Sequence, residues 1–218
     1  MNSKVIGFVG LDVQDTILYL SRIFRHMGKS VLMADYSESQ ALYYCIPMIP
    51  GTDAYAARVE YRGTYFTIGP IREKEYGDFD VIMIFFGFEA RRETKYCTHM
   101  IYTTDGEKNH VERLGRVKGE EADYSQLVFR NAGRVQRGMG EAGYVPAGMV
   151  GAAGQYTCND SARERRLRMQ CQYNEIFSFQ GISARFKRYL FDTVRAVFPG
   201  EVSGKKFEES FRKAQMGE

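Results

Sequence analysis

The first 37 residues constrain the fold most, because they read as a strand, a turn, a helix and a second strand. Residues 4–9 are mostly apolar and predict a buried strand, and residues 10–16 predict the turn that follows it. The next segment carries apolar side chains at spacings of three and four and ends at Gly28, which suits the left-handed position after a helix. Residues 31–35 are apolar up to a terminal aspartate and predict the second strand. This order predicts a parallel βαβ unit.

The remainder of the chain continues the alternation of strands and helices. Residues 59–68 predict a hairpin with its turn at Arg62-Gly63. Strands are predicted at 80–86, 98–104 and 124–130, with a weaker signal at 145–150. Helices are predicted at 107–117, 161–171 and 182–197, and the last of them ends before Pro199. We therefore expect one doubly wound, mostly parallel α/β sheet flanked by helices. It should occupy residues 1–199, with residues 200–218 as a polar, loosely held tail.

Composition narrows the class of protein. A chain of 218 residues suits one large domain, and a net charge of +3 is too small to indicate nucleic-acid binding by itself. No apolar run approaches the roughly 20 residues that span a bilayer, and the polar start does not resemble a signal peptide, which predicts a cytoplasmic protein. Three scattered histidines predict no metal site. The cysteines lack metal-ligand spacing and are predicted to be buried free thiols: Cys45, Cys97, Cys158 and Cys171.

Two stretches carry a resemblance to a known family. Residues 27–37 read Met-Gly-Lys-Ser-Val-Leu-Met-Ala-Asp-Tyr-Ser, and residues 76–80 read Tyr-Gly-Asp-Phe-Asp. They resemble the MinD/ParA family of deviant P-loop ATPases, which includes the CpaE-like proteins of pilus systems. In that family a loop of the type Lys-Gly-Gly-Val-Gly-Lys-Thr-Thr follows the first strand, and Gly-Lys-x-Val-Leu follows the first helix. The resemblance extends to about Phe198 and implies a P-loop NTPase-like fold.

The departures from the family pattern lie where phosphate and magnesium would bind. Aligning residues 13–16, Val-Gln-Asp-Thr, with Val-Gly-Lys-Thr places Gln14 at a glycine and Asp15 at the phosphate-binding lysine. Only Thr16 keeps the hydroxyl that would bind magnesium. Two like charges 4 Å apart repel by roughly 4 kcal/mol at an effective dielectric constant of 20, so Asp15 should oppose a triphosphate. The pattern predicts a pseudo-ATPase that does not hydrolyse ATP and needs no cofactor.

The resemblance also implies where a nucleotide would bind if one does. Asn131 stands where many relatives place an adenine-contacting asparagine, and Asp35 ends the second strand where dinucleotide-binding folds place a ribose-binding acid. Asp12 and Asp15 have other interpretations, since they could hold a cation or a nucleoside hydroxyl, or one of them could cap the first helix. The full candidate site for ATP and magnesium is Gly10, Leu11, Asp12, Val13, Gln14, Asp15, Thr16, Asp35 and Asn131.

A run of arginines is the main charge feature. It predicts a solvated helix face or a docking surface for an acidic partner. DNA-segregating relatives bind duplexes through basic surfaces, so DNA binding is an alternative. The run comprises Arg163, Arg165, Arg166 and Arg168.

These observations predict a protein-interaction or scaffold component. The resemblance implies a bacterial pilus or secretion apparatus, with its ATPase as a partner and a location peripheral to that membrane-associated complex. Two alternatives stay open: a nucleotide switch that dimerises on ATP despite the altered loop, and a DNA-binding ParA-like protein. The family's face-to-face homodimer also stays open, although without bridging ATP its usual driving force is missing.

Overall fold

A parallel sheet with β1 near its centre organises the fold. The computed structural model describes residues 3–48, 51, 53–55, 57–89, 91–117, 122–131, 154–174 and 177–217. Within these ranges the strands are β1 (Lys4–Gly10), β2 (Val31–Asp35), β3 (Val59–Tyr61), β4 (Thr64–Thr67), β5 (Val81–Gly87), β6 (His99–Thr104), β7 (Tyr124–Arg130) and β8 (Gly154–Cys158). The helices are α1 (Gln14–His26), α2 (Lys108–Arg116), α3 (Ala162–Asn174), α4 (Ala184–Val197) and α5 (Gly204–Met216).

The strands are ordered β3-β4-β2-β5-β1-β6-β7-β8. Every neighbouring pair is parallel except β3 and β4, which form the predicted hairpin with left-handed Arg62 and Gly63 at its turn. This confirms the predicted mostly parallel α/β sheet. The short edge strand β8 was not predicted, and the strand expected at residues 145–150 lies outside the described residues.

Helices cover both faces of the sheet, because alternate side chains of each strand point to opposite sides. On β1, Ile6 and Phe8 pack in the larger core with α1, α4 and α5, whereas Val5 and Val9 pack in the smaller core with Leu114 of α2. The cysteines are free and buried, as predicted. No helix in the described ranges combines the length and the apolar character needed to cross a bilayer.

The C-terminal segment differs from the expected polar, loosely held tail. Residues Gly204–Met216 form α5, which begins at the cap Ser203, whose hydroxyl accepts a hydrogen bond from the Lys206 N–H. Phe207 and Phe211 are buried against the larger core, and the Phe207 ring lies 5.1 Å from that of Phe191 in α4. The narrow apolar stripe of this helix is spread through a charged segment, which is why its composition suggested a tail.

His99 links β6 to α4, and the burial of its ring predicts a contribution to stability that depends on pH. Its ring is 6% exposed, with Nδ1 2.9 Å from the Thr98 hydroxyl and Nε2 3.2 Å from the Ala196 carbonyl oxygen. Burial lowers the pKa of His99 below its ordinary value, although the Ala196 contact opposes this. The unfolded chain therefore takes up a proton first as the pH falls below about 6.5.

We therefore expect the free energy of unfolding to decrease as the pH falls from 7 towards 5.5, at no more than about 1.4 kcal/mol per pH unit from this group. Urea unfolding of the wild type and of His99→Gln at several pH values measures the difference between them. The His99→Gln protein should lose this part of the pH dependence. Parallel curves for the two proteins would contradict the assignment.

Candidate functional site

An open cleft lies at the carboxyl edge of the sheet. Here β1 stands between β5 and β6, so connections from neighbouring strands leave in opposite directions, and such crevices are the usual ligand sites of open α/β sheets. The cleft has a volume of about 750 Å³. Its walls come from the ends of β1, β2, β5, β6 and β7 and from α2 and α3, through Gly10, Leu11, Asp12, Gln14, Ser37, Glu38, Ser39, Gly87, Phe88, Asp105, Arg113, Arg130, Asn131, Arg168 and Gln172.

The loop after β1 is held close to β6 by Gly10. Its φ of +112° is in the region that favours glycine, and a Cβ at this position would lie 2.0 Å from the Thr103 carbonyl oxygen. The next residue donates its N–H to the same oxygen, with Leu11 N 3.1 Å from Thr103 O. Gly10 therefore fixes the path by which the chain reaches the start of α1.

A buried ion pair joins the start of α1 to the end of β7. Both guanidinium Nη atoms of Arg130 donate to the carboxylate of Asp15, with Nη1 2.7 Å from Oδ1 and Nη2 bonded to Oδ2. Asp15 and Arg130 are 8% and 4% exposed, so the pair is almost removed from water. The paired geometry is the fork-to-fork arrangement that arginine and carboxylate favour.

The pair extends into an alternating chain of charges. Arg130 Nε lies 3.2 Å from Asp160 Oδ1, and Arg168 Nη1 of α3 lies 2.9 Å from Asp160 Oδ2. Asn131 closes the end of the chain, since its amide Nδ2 donates to Asp160 Oδ2 and its Oδ1 accepts from the Asp160 N–H. Two carboxylates and two guanidinium groups thus balance one another.

The charges in this chain stabilise each other against the cost of burial. Burial raises the pKa of Asp15, but the Arg130 guanidinium outweighs it and holds that pKa below its usual range. Burial likewise disfavours the charged form of Arg130, and Asp15 raises the pKa of Arg130 above its ordinary value. Both groups are therefore ionised at neutral pH.

Asp15 also satisfies the N-terminus of α1. Its Oδ1 accepts the Thr16 N–H at 2.8 Å, and no side chain caps the helix at Val13, the residue that precedes it. Neither residue is the N-cap itself: Asp12 accepts a hydrogen bond from Ser39 Oγ at 2.8 Å, whereas Asp15 lies in the first turn and its carboxylate accepts one of the N–H groups there. Asp15 is an internal anion, held by the positive end of a helix and by an arginine.

The carboxylate of the second predicted acid, Asp35, forms its hydrogen bonds with the loop that follows β2. Its Oδ1 accepts the N–H and the hydroxyl of Ser37, and its Oδ2 accepts the N–H groups of Leu42 and Tyr43. The residue is 2% exposed, and burial raises its pKa despite these hydrogen bonds. This carboxylate organises the turn after β2 and does not face the cleft.

The predicted nucleotide-site residues therefore separate into two groups. Five line the cleft: Gly10, Leu11, Asp12, Gln14 and Asn131. The other four are buried away from its walls: Val13, Asp15, Thr16 and Asp35. Gln14 is 3% exposed, and its Oε1 has no hydrogen-bond partner among the described residues.

The opposite wall of the cleft is built from α2 and the end of β5. The Phe88 ring stacks on His110 with centroids 5.6 Å apart, and the Arg113 guanidinium lies 4.2 Å from the Phe88 centroid. His110 Nδ1 lies 2.8 Å from Asp105 Oδ1, and this contact lowers the Asp105 pKa although burial opposes it. The potential metal-ligating atoms of Asp105, Glu107 and His110 all lie within 4.8 Å of one another. The spacing of the histidines in the sequence did not suggest this grouping.

The structure divides the arginine run. Arg168 turns inward to Asp160, so it belongs to the buried charge chain and not to a basic surface. Arg163, Arg165 and Arg166 remain exposed on α3. The run is therefore not one continuous basic patch.

Arg130 and Asp160 are the two residues of the charge chain that sequence reasoning missed as partners of Asp15. Arg130 is a charged residue at the carboxyl end of a strand whose centre, Leu127 and Val128, is buried. A charge in that position is a signal, because parallel strands end at the same edge of the sheet and β7 ends near the start of α1. The partner, 115 positions away in sequence, is not visible in any local pattern.

The fold is similar to that of solved proteins. A chain of the MinC:MinD cell division protein complex from Aquifex aeolicus matches with a TM-score of 0.53 and 14% identity, over 99% of this chain and 97% of that chain. A weaker match is pNOB8 ParA bound to nonspecific DNA, with a TM-score of 0.48 and 12% identity over 98% of this chain and 99% of that chain. Another is cobyrinic acid a,c-diamide synthase from Mycobacterium smegmatis, with a TM-score of 0.42 and 13% identity over 58% of this chain and 74% of that chain. The sequence matches no protein-family model and no curated protein. At these identities the likeness concerns the fold alone, and the chain has the mostly parallel architecture of the MinD/ParA type.

Proposed function

We propose that this protein is a catalytically inactive protein of the MinD/ParA-type fold that acts by binding a protein partner. The observation that supports this is the internal anion Asp15. In the aligned family loop this position carries the lysine that neutralises phosphate. Here its side chain is a carboxylate that already holds the Thr16 N–H and both Nη atoms of Arg130.

Binding a triphosphate at the start of α1 would be opposed twice. The phosphate would have to displace Asp15 from a buried ion pair, and breaking such a pair by removing one partner costs about 3–5 kcal/mol. It would then lie beside a like charge, at a cost of roughly 4 kcal/mol at 4 Å and an effective dielectric constant of 20. Either cost is a large part of the ~8 kcal/mol that corresponds to micromolar affinity.

Magnesium fits this arrangement no better than phosphate does. Thr16, whose hydroxyl would bind the ion in the aligned family loop, is 2% exposed and does not line the cleft. The residues at the loop therefore do not fit ATP with magnesium. We derive no hydrolytic step from them.

The pathway rests on the resemblance to the CpaE-like branch alone. We propose a role as a scaffold component of a bacterial pilus or secretion apparatus, peripheral to the membrane, with an ATPase of that apparatus as the partner. The altered loop in an intact fold supports only the scaffold part of this proposal, since such a protein keeps surfaces for binding without the chemistry.

Titration calorimetry with ATP, ADP and GTP in the presence of magnesium tests the loss of nucleotide binding. We expect no dissociation constant below the millimolar range, because Asp15 occupies the anion position. A thermal-shift series with the same nucleotides should show no change in melting temperature. A micromolar dissociation constant for ATP would overturn the proposal.

A nucleotide-binding switch is the second candidate, and the 750 Å³ cleft favours it. Its volume is in the range of small-molecule sites, roughly 300–1,000 Å³. ATP-dependent dimerisation of the unaltered chain separates the candidates, because Asp15→Lys would place a second cation beside the buried Arg130 and destabilise the fold under either one. Light scattering with and without ATP would show the dimer that the switch requires.

A further inference from the structure

One side of α3 presents large apolar side chains to solvent. Met169 and Tyr173 are 59% and 81% exposed and lie one turn apart. A shallow depression of about 470 Å³, called the groove below, lies along this side; among the described residues it is lined by α3 alone and is wide open to solvent. The residues that line it recur at helical spacing: Ala162, Arg165, Arg166, Met169, Gln170 and Tyr173.

The helix that carries this groove is firmly placed. Ser161 and Glu164 form a capping box, with the Glu164 N–H donating to Ser161 Oγ and the Ser161 N–H donating to Glu164 Oε2. On its inner side Cys171 is buried and Arg168 is bound to Asp160. The groove side is therefore a fixed surface, and its exposed residue types, Met, Tyr and Arg, are those enriched in protein interfaces.

The charge of the groove selects the partner. Arg165 and Arg166 are exposed, and neither has an ion-pair partner among the described residues. Glu164, the acid of this stretch, is turned to the Ser161 and Ser183 N–H groups and does not neutralise them. The groove thus combines apolar area with two unpaired guanidinium groups, which complements a segment that carries both carboxylates and apolar side chains.

We propose that this side of α3 is the docking surface for an acidic amphipathic helix of a protein partner. Apolar side chains of that helix pack on Met169 and Tyr173, and its carboxylates pair with Arg165 and Arg166. A second helix packs its rows of side chains between the rows that residues three and four apart form on the first, and the exposed residues on this side of α3 have those spacings. This inference rests on the proposed function, because it names the surface through which the protein-binding role is carried out.

Two other occupants fit less well. Duplex DNA would gain at most three phosphate contacts from the exposed arginines of α3, Arg163, Arg165 and Arg166, which corresponds to a salt slope of roughly −2.7 and weak binding. A second copy of the chain, paired through the same side of α3 in antiparallel orientation, would bring the two Arg166 residues to within about 5 Å along the helix axis. The two guanidinium groups would then face each other across the interface with no carboxylate of the groove between them, and this like-charge repulsion opposes such a dimer.

Fluorescence anisotropy on the full chain tests the surface with a defined probe. The probe is a labelled synthetic helix with leucine at the a and d positions of each heptad and glutamate beside them, and its control carries lysine for glutamate. We expect the glutamate helix to bind in the micromolar range and the lysine helix at least roughly tenfold more weakly. Arg165→Glu/Arg166→Glu and Met169→Ala/Tyr173→Ala should each weaken the first interaction by roughly tenfold or more.

Arg212→Glu/Lys213→Glu on α5 is the matched control, because it makes the same charge change at two exposed residues elsewhere. Circular dichroism should show all three double variants folded. Failure of the glutamate helix to bind, or equal weakening by the α5 control, would overturn the inference. Binding of a 20-base-pair DNA duplex that depends on Arg165 and Arg166 would also overturn the inference, and so would a homodimer that depends on them. The nucleotide titrations test the proposed function separately, since micromolar ATP binding would overturn that function and leave the helix-binding result unchanged.

Discussion

Replacing Asp15 with alanine is expected to lower the free energy of unfolding by about 3–5 kcal/mol. Arg130 would stay buried with only Asp160 beside it, and that carboxylate is already shared with Arg168. The Thr16 N–H would also lose its acceptor. Urea unfolding of the wild type and the variant at pH 7 measures the difference.

The same variant should acquire an anion site. The alanine leaves an arginine and a helix N-terminus facing a vacated carboxylate position, and helix N-termini bind anions readily. Formate, which has the size of the missing carboxylate, should therefore raise the melting temperature of Asp15→Ala with increasing concentration and leave the wild type unchanged, following ligand linkage. Such a rescue would identify Asp15 as an internal anion and not merely as a packing element.

Asp12→Ala is the matched control, since it removes an exposed carboxylate three residues earlier in the same loop. Its hydrogen bond to Ser39 is at the surface, so we expect a loss of no more than about 1 kcal/mol and no response to formate. If Asp15→Ala were as stable as Asp12→Ala, the buried ion pair would not have the energetic role assigned to it.

The sequence predicted the sheet because the signals for it are local. The apolar strand before Gly10, the helical spacing up to Met27 and the hairpin turn at Arg62-Gly63 each depend on a few neighbouring residues. Strand β8 gave a weaker signal, since Gly154–Cys158 is short and only its last residue is buried. A half-exposed edge strand lacks the continuous apolar run that marked the central strands.

The candidate site was only partly predictable, because its energetics depend on contacts between distant segments. The sequence shows Asp15 as a bare negative charge at the loop. It does not show that Arg130 neutralises that charge, or that Asp160 and Arg168 continue the network. Asp35 illustrates the same limit. Its position at the end of β2 was predictable, but the four hydrogen bonds that its carboxylate accepts come from the loop after that strand.

Replacing Phe207 with alanine is expected to cost about 3–5 kcal/mol, the usual range for a buried phenylalanine. The side chain is 2% exposed, and its ring packs between those of Phe191 and Phe211 at centroid distances of 5.1 and 5.8 Å. For a chain of this size that loss corresponds to a decrease in melting temperature of roughly 6–20 °C. Thermal unfolding followed by circular dichroism measures it.

Met216→Ala provides the control on the same helix, because Met216 is 59% exposed at the end of α5. Its removal should change the free energy of unfolding by no more than about 0.5 kcal/mol. A loosely held tail would make both substitutions silent, whereas a packed helix makes only Phe207→Ala destabilising. Because α5 packs against α1, whose first turn carries Asp15, the Phe207→Ala result also tests whether residues 204–216 belong to the cooperative unit that holds the candidate site.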